Sequence, residues 1–455
     1  MAATFISQLQ DLDQNSPDAS NLLRVLAFLD PESIPLEMLI AGAKAIVEAQ
    51  EPPIRPPPVT ASLLALIQSP FARQNAITHL QSRCLVAHHT TSQSPTLRIH
   101  DLIQLVVLEN TKSSELNQEL FELAAELVCA AFRKIKEPWW PEWWPQCEPL
   151  VPHIQSLTLR QDTSSEAKKA LFLANFNRGM YLRDRGQYEE AERLYESMMA
   201  DRVHLFGPND IGTLAVMEDL AWVYLCRARY VDAERLFKQV LKSYMIQLGP
   251  AHKSTLVTMY KLADVYCTQE RYDEAETLLT HTLSRQASQF GLEDDTTLWT
   301  MNLLGDLYRE QQRYDEAKSL LLRVIQLREN QLGSEHVYVL DAKHSLANVY
   351  FSQQEYDTAG ALLQQVLRAS ERNFGSQHPE TLITMYSLAR VHMALGRYGD
   401  GKNLLVPVLA ARERILGLSH PHTRGTVAAL ARAYENLGQL DEARVLRQRI
   451  SPSSS

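Results

Sequence analysis

Gly375-Ser376-Gln377-His378-Pro379-Glu380-Thr381-Leu382, followed by Leu388-Ala389 and then by Tyr398 and Gly401, is the stretch on which the reading of this chain turns. Its marks recur every 42 residues. The aromatic and its small partner appear as Tyr188/Ala191, Tyr230/Ala233, Tyr272/Ala275, Tyr314/Ala317, Tyr356/Ala359 and Tyr398/Gly401. The glycine keeps the same beat at Gly207, Gly249, Gly291, Gly333, Gly375 and Gly417. So does the pair Leu220-Ala221, Leu262-Ala263, Leu346-Ala347, Leu388-Ala389 and Leu430-Ala431, with Leu304-Gly305 completing the series. Self-similarity of this length signals stacked supersecondary units, because one unit cannot bury its apolar face alone and must lean on the next.

Within a unit, Leu220, Ala221 and Tyr224 share one face at helical spacing, and so do Ala233, Phe237 and Val240 after a short break. Each unit is therefore predicted to be a helical hairpin. The small residue belongs where the two helices cross closely. The glycine belongs where the second helix ends in a backbone conformation with positive φ. Thr213, Thr255, Thr297, Thr381 and Thr423 are expected at the start of the following helix, as capping or first-turn residues.

The order glycine, His-Pro, Thr-Leu, Leu-Ala-x-x-Tyr and Tyr-x-x-Ala resembles the tetratricopeptide motif in its 42-residue kinesin-light-chain form, over roughly residues 166 to 450 and about seven units. The last copy decays, with Leu440 in the place of the tyrosine before Asp441 and Ala443, as in a capping repeat. The fold class implied is all-α: a right-handed superhelical solenoid of helical hairpins with an N-terminal helical, winged-helix-like cap. The domains expected are a flexible N-terminus at 1–15, the cap at 16–160, the repeat array at 166–450 and a disordered tail at 451–455.

The cap does not repeat. A proline-rich break, Pro52-Pro53-Ile54-Arg55-Pro56-Pro57-Pro58, divides it. Leu22 to Leu29 reads as a helix halted before Pro31, Ile34-Pro35 as the start of the next helix, and His88 to Thr96 as a polar hairpin ahead of Ile99-His100-Asp101-Leu102. With the segment from Trp139 to Cys147, these phrases resemble the winged-helix-like region that follows the ATPase in fungal NLR-like receptors. The phosphate-binding loop Gly-x-x-x-x-Gly-Lys-Ser/Thr of such an ATPase is missing from this sequence, so the resemblance is to a sensor half whose ATPase would be a separate chain.

Composition narrows the partners. Hydrophobic residues make up 45% and charged residues 22%, an ordinary balance for a folded chain. The net charge of -9 is spread without long single-sign runs, and Phe71 to His89 carries only Arg73 and Arg83 as fixed cations; neither nucleic acid nor a membrane surface is an expected partner. Cys84, Cys129, Cys147, Cys226 and Cys267 lie too far apart for a disulfide framework or a zinc ribbon. Met1 to Asn15 does not read as a signal peptide and no stretch approaches a membrane span, so a cytoplasmic location is expected, with no metal and no cofactor.

In tetratricopeptide solenoids the first helix of each hairpin lines the concave side, which the resemblance carries over to positions two before, two after and five after the motif leucine. The middle units then present Tyr260, Asp264, Asn302, Asp306, His344, Asn348, Phe351, Tyr386 and Arg390, with Trp299 one turn earlier. These positions vary from unit to unit. Aromatic walls with a few convergent polar groups describe a binding site. The asparagine that commonly precedes Leu-Ala in the kinesin-light-chain type is replaced by Asp219, Lys261, Leu303, Ser345, Ser387 and Ala429, so only Asn302 and Asn348 could take its role. Three readings follow. The first is a non-catalytic scaffold holding a protein segment in the groove. The second is a small-molecule-binding or catalytic accessory protein of fungal specialised metabolism using the same groove. The third is a detached receptor half working with a separate ATPase chain. No nucleophile–base pair or metal spacing in the sequence supports catalysis by Asp264, Asp306 or His344.

Overall fold

The computed structural model describes residues 2–49, 57–90, 95–111, 115–137, 143–159 and 165–450. It forms two compact units that divide between Tyr181 and Leu182. The proline run at 52–56, the residues Trp139 to Glu142 and the tail at 451–455 lie outside the described residues.

The first unit contains α1 (Ala2–Asn15), α2 (Pro17–Leu26), β1 (Ile34–Pro35), α3 (Leu36–Glu48), α4 (Pro58–Gln68), α5 (Pro70–Ser82), β2 (Ala87–Thr90), β3 (Pro95–Arg98), α6 (Asp101–Thr111), α7 (Glu115–Arg133), α8 (Trp144–Cys147), α9 (Val151–Thr158) and most of α10 (Ser165–Asp184). The stretch expected to be a flexible N-terminus is instead helix α1. Leu12 is fully buried, and Asp11 and Asp13 are held by Arg83 and Arg24, each at 2.8 Å. Apolar residues at helical spacing with ion pairs at their flank order this segment. Ile34-Pro35, expected to open a helix, forms an edge strand paired through Ile34↔Leu97, and β2 pairs with the other side of β3. The helices pack around Leu22, Leu26, Leu39, Ala124 and Leu127, and Phe28 meets Phe121 edge-to-face at 5.2 Å.

The second unit is a solenoid of helical hairpins. It runs through α11 (Tyr188–Phe206), α12 (Ile211–Cys226), α13 (Tyr230–Gln247), α14 (Lys253–Thr268), α15 (Tyr272–Gln289), α16 (Asp295–Glu310), α17 (Tyr314–Leu332), α18 (Val337–Ser352), α19 (Tyr356–Phe374), α20 (Pro379–Ala394), α21 (Tyr398–Leu416), α22 (Pro421–Asn436) and α23 (Leu440–Ile450). The small residue of Tyr-x-x-Ala is fully buried at Ala191, Ala233, Ala275, Ala317 and Ala359. At Gly305, where Leu-Ala becomes Leu-Gly, a Cβ would lie 2.7 Å from the Leu321 side chain, which has grown into the space.

The second helices α11, α13, α15, α17, α19 and α21 are each followed by a glycine with φ between 80° and 89°. At Gly375 this φ is paired with ψ of 165°, extended backbone on the positive-φ side, which is essentially glycine-only. The caps of the following helices are not the threonines but Asp210, His252, Asp294, His336, His378 and His420, whose side chains accept from the first-turn amides. The threonines sit in the first turn; Thr255 Oγ1 donates back to the Gly249 carbonyl at 2.8 Å.

Successive first helices touch one another, α12 with α14, α14 with α16, α16 with α18, α18 with α20 and α20 with α22, while successive second helices are held further apart. In a curved stack the closer spacing marks the inner side. The curve is tight enough that residues 194 positions apart meet: His378 Nε2 lies 2.7 Å from the Asp184 carbonyl oxygen and His420 Nε2 3.2 Å from that of Cys226.

Candidate binding groove

The first helices position the candidate residues because each 42-residue step returns the chain to the same helical face. Asn302 and Asp306 stand one turn apart on α16, and His344 and Asn348 repeat that placement on α18. Asn302, only 7% exposed, donates from Nδ2 to Asp341 Oδ2 at 3.3 Å and lies 3.4 Å from Ser345 Oγ. Ser345 in turn donates to Asp306 Oδ2 at 2.8 Å. Two carboxylates on neighbouring helices are thus joined through one amide and one hydroxyl, while the Asn302 carbonyl oxygen accepts no hydrogen bond.

His344 is the centre of a second chain. Asn348 Nδ2 lies 3.5 Å from its Nδ1, and its Nε2 lies 2.9 Å from Ser387 Oγ. Burial pushes the imidazole down to about 4, with Arg309 and Arg390 adding to the effect, so the ring is neutral near pH 7. With Asn348 donating to Nδ1, the Nε2–H donates to Ser387, the reverse of the arrangement that activates a serine. Ser387 stands in the interior of α20, where backbone N–H groups are committed to helix bonds and cannot serve as oxyanion donors. The chain is a positioning network for His344.

The aromatic candidates divide. Trp299 is half-buried and rests edge-to-face on Tyr338 at 5.6 Å, and the Arg328 guanidinium lies 4.8 Å from the Tyr338 ring on the other contact. Phe351 carries the exposed Arg390 at 4.5 Å and touches Tyr356 at 5.4 Å. Tyr386 is half-buried beneath Arg412, 4.8 Å away. Tyr260 is half-buried, and burial together with Asp264 and Asp341 pushes its hydroxyl well above the ordinary tyrosine range.

The carboxylates carry the unusual electrostatics. Asp264 is pushed up to about 7 by burial, with Asp306 and Asp341 adding repulsion. Asp306 is pushed up to about 6 by burial and by Asp341, against the opposing pull of Arg309 and the Ser345 hydroxyl. Glu380, on α20, is pushed up to about 7 by burial, Asp341 and Asp184, and Asp341 is raised by burial against Arg328. Asp341 and Glu380 nevertheless reach solvent. Accessible carboxylates that still lose hydration belong on the wall of a concavity, where water is present but sparse.

Asp341, Ser345, Ser387 and Glu380 were not among the residues picked out by sequence. Asp341 was legible, since it lies 42 residues after Trp299 and occupies the same repeat position. Ser345 and Ser387 hold the place of the missing asparagine row and turn out to bind its neighbours, Asp306 and His344.

Residues 171–245, 254–330 and 338–400 match the tetratricopeptide repeat family, and residues 381–422 and 425–449 match two further tetratricopeptide repeat families. Residues 10–116 match a domain of unknown function (DUF7779). No curated protein matches the chain. Similar solved structures include a kinesin-light-chain-type protein of Podosopora anserina with nearly identical TPR-like repeats, at 28% identity over 44% of this chain and 95% of that one, with a TM-score of 0.35. The apo quorum sensor NprR from B. thuringiensis is 15% identical over 82% of this chain and 94% of its own, with a TM-score of 0.49. A signal transduction ATPase with a tetratricopeptide repeat sensor from Pyrococcus horikoshii is 14% identical over 100% of this chain and 65% of its own, with a TM-score of 0.46. Among the described residues no helix is long and apolar enough to cross a membrane.

Proposed function

We propose, from the premise that this chain belongs to the tetratricopeptide repeat proteins, that it is a non-catalytic scaffold holding a segment of a partner protein along the inner faces of α14, α16, α18 and α20. One observation carries the reading: core positions such as Ala275, Ala317 and Ala359 are the same from hairpin to hairpin, whereas the repeat position held by Glu218, Tyr260, Asn302, His344, Tyr386 and Ala428 changes between each hairpin and the next. Packing demands the first pattern; a surface shaped to one asymmetric ligand has the second. The residues held in place by second partners, Asn302 by Asp341 and His344 by Asn348 and Ser387, are pre-organised for contact, which lowers the entropy lost on binding. In the first unit, α3 to α5 followed by the β2–β3 hairpin supports the winged-helix-like reading, and the presence of only Arg73 and Arg83 as fixed cations between Phe71 and His89 weighs against DNA binding.

The experiment is site-specific photo-crosslinking. A photoreactive phenylalanine analogue at Tyr386 is expected to capture the partner, and the same analogue at Val231, which is 78% exposed at the start of second helix α13, is expected not to. Capture from Val231 or from the first unit, with none from Tyr386, would place the function elsewhere.

A further inference from the structure

Asp264, Asp306, Asp341 and Glu380 lie on α14, α16, α18 and α20, the helices of the inner side, and among the described residues none of the four forms an ion pair. On the preceding first helix, α12, the carboxylates are matched: Asp219 has Arg183 at 3.0 Å, and Glu218 has Lys261 at 3.5 Å. The cations nearest the four make their hydrogen bonds and ring contacts with other groups, and Arg328 Nε and Nη2 and Arg309 Nε have no hydrogen-bond partner among the described residues. Arg309 holds Glu310 at 2.5 Å, Arg328 is fully buried and donates to the Tyr338 carbonyl at 2.8 Å, and Arg390 lies over Phe351.

A group of acids by itself proves nothing, since a solvated acidic wall is a common surface. Here a second feature stands inside the group. The Asn302 amide is only 7% exposed, its nitrogen is taken by Asp341 and Ser345, and its oxygen Oδ1 accepts nothing. A buried amide oxygen without a donor is costly, and the donor that suits an acceptor flanked by the carboxylates of Asp306 and Asp341 is a cationic N–H.

We propose that this inner wall receives an extended protein segment bearing lysine or arginine, with one cationic side chain entering between Asp306 and Asp341 to donate to them and to Asn302 Oδ1. The inference rests on the groove reading above and adds the chemistry of the partner. Asp264 and Glu380, on the helices to either side, supply the acids for further cations along the segment. The aromatic neighbours Tyr260 and Trp299 give the aliphatic stem of a lysine or arginine a surface to lie on. The charge is opposite to what a basic groove for acidic motifs would need, so an acidic segment is disfavoured against this wall of carboxyl groups.

The test uses the full chain and two fluorescein-labelled peptides, one alternating lysine with leucine and its counterpart with glutamate for lysine, measured by anisotropy. The lysine peptide is expected to bind and the glutamate peptide not to. Asp306→Asn combined with Asp341→Asn should weaken binding by about tenfold or more, with melting unimpaired, and added salt should weaken it further. Asp264→Asn alone provides a second variant should the double one fail to fold, with a smaller loss. Equal binding of the glutamate peptide, abolished by Asn348→Ala, would keep the groove reading and overturn the cationic partner. Binding that no groove variant alters would overturn both. Displacement of the lysine peptide by spermine at equal affinity per charge would overturn the protein segment in favour of a small polycation.

Discussion

His378 bridges two parts of the array that are 194 residues apart: its Nδ1 accepts from the Glu380 amide at 3.2 Å, capping α20, while its Nε2 lies 2.7 Å from the Asp184 carbonyl oxygen. Both bonds need the neutral ring with its proton on Nε2. Burial pushes this imidazole down to about 4. A folded pKa below the ordinary 6.5 gives stability that is present above 6.5 and lost as pH falls through about 4. His378→Ala should cost roughly 0.5–2 kcal/mol for the cap. It should also speed hydrogen exchange at the end of α10, far from the mutation in sequence. Faster exchange at Glu380 alone, with Gly186 unchanged, would mean that the curve is not closed by this contact.

Asp264→Asn should stabilise the repeat array near pH 8 and not near pH 5. The carboxyl is pushed up to about 7 from 3.8 by burial and then by Asp306 and Asp341, with Tyr260 and Cys267 also close. A raised folded pKa means that its stabilisation is complete below 3.8 and is lost as pH rises through about 7. Melting temperatures of variant and wild type, taken at both pH values, should diverge on the alkaline side. A variant that melts lower than wild type at pH 8 would show that a cation already holds Asp264.

Gln312→Gly should raise stability. Gln312 is exposed and has φ of 62°, and Ala228, Glu270 and Gln354 repeat the conformation at the same turn. The left-handed conformation costs a side-chain-bearing residue about 1–2 kcal/mol, and glycine gives back about 0.5–1 kcal/mol through its unfolded-state freedom. The net gain expected in urea denaturation is on the order of 0.5–1 kcal/mol. A loss instead would mean that the glutamine side chain supports the turn.

Ala275→Trp and Ala317→Trp should each destabilise the array by about 1–3 kcal/mol or more through overpacking. Both alanines are fully buried where the two helices of a hairpin cross, so the added ring forces the helices apart and loosens the hairpins on either side. Urea midpoints equal to wild type in both variants would contradict the packing described here.

The division between what the sequence by itself determined and what tertiary structure decided follows distance along the chain. The hairpins, their crossing residues Ala275 and Ala317 and the glycines at helix ends are set by spacing within one 42-residue unit, so periodicity revealed them, while the choice of the face that carries Tyr260, Asn302, His344 and Tyr386 came from the resemblance to tetratricopeptide solenoids. The cap at His378 was less legible, because threonine is the stronger capping signal and the histidine acts through its ring nitrogen. Which candidates would meet was not legible: Asn302 reaches Asp341, Ser345 reaches Asp306 and His344 reaches Ser387, in each case across two neighbouring first helices. Those pairings depend on side-chain direction between helices and on the angle between them, which repeat spacing leaves open. The meeting of His378 with Asp184 was the furthest from view, because it is the sum of small rotations between many successive hairpins, none of which any single repeat encodes.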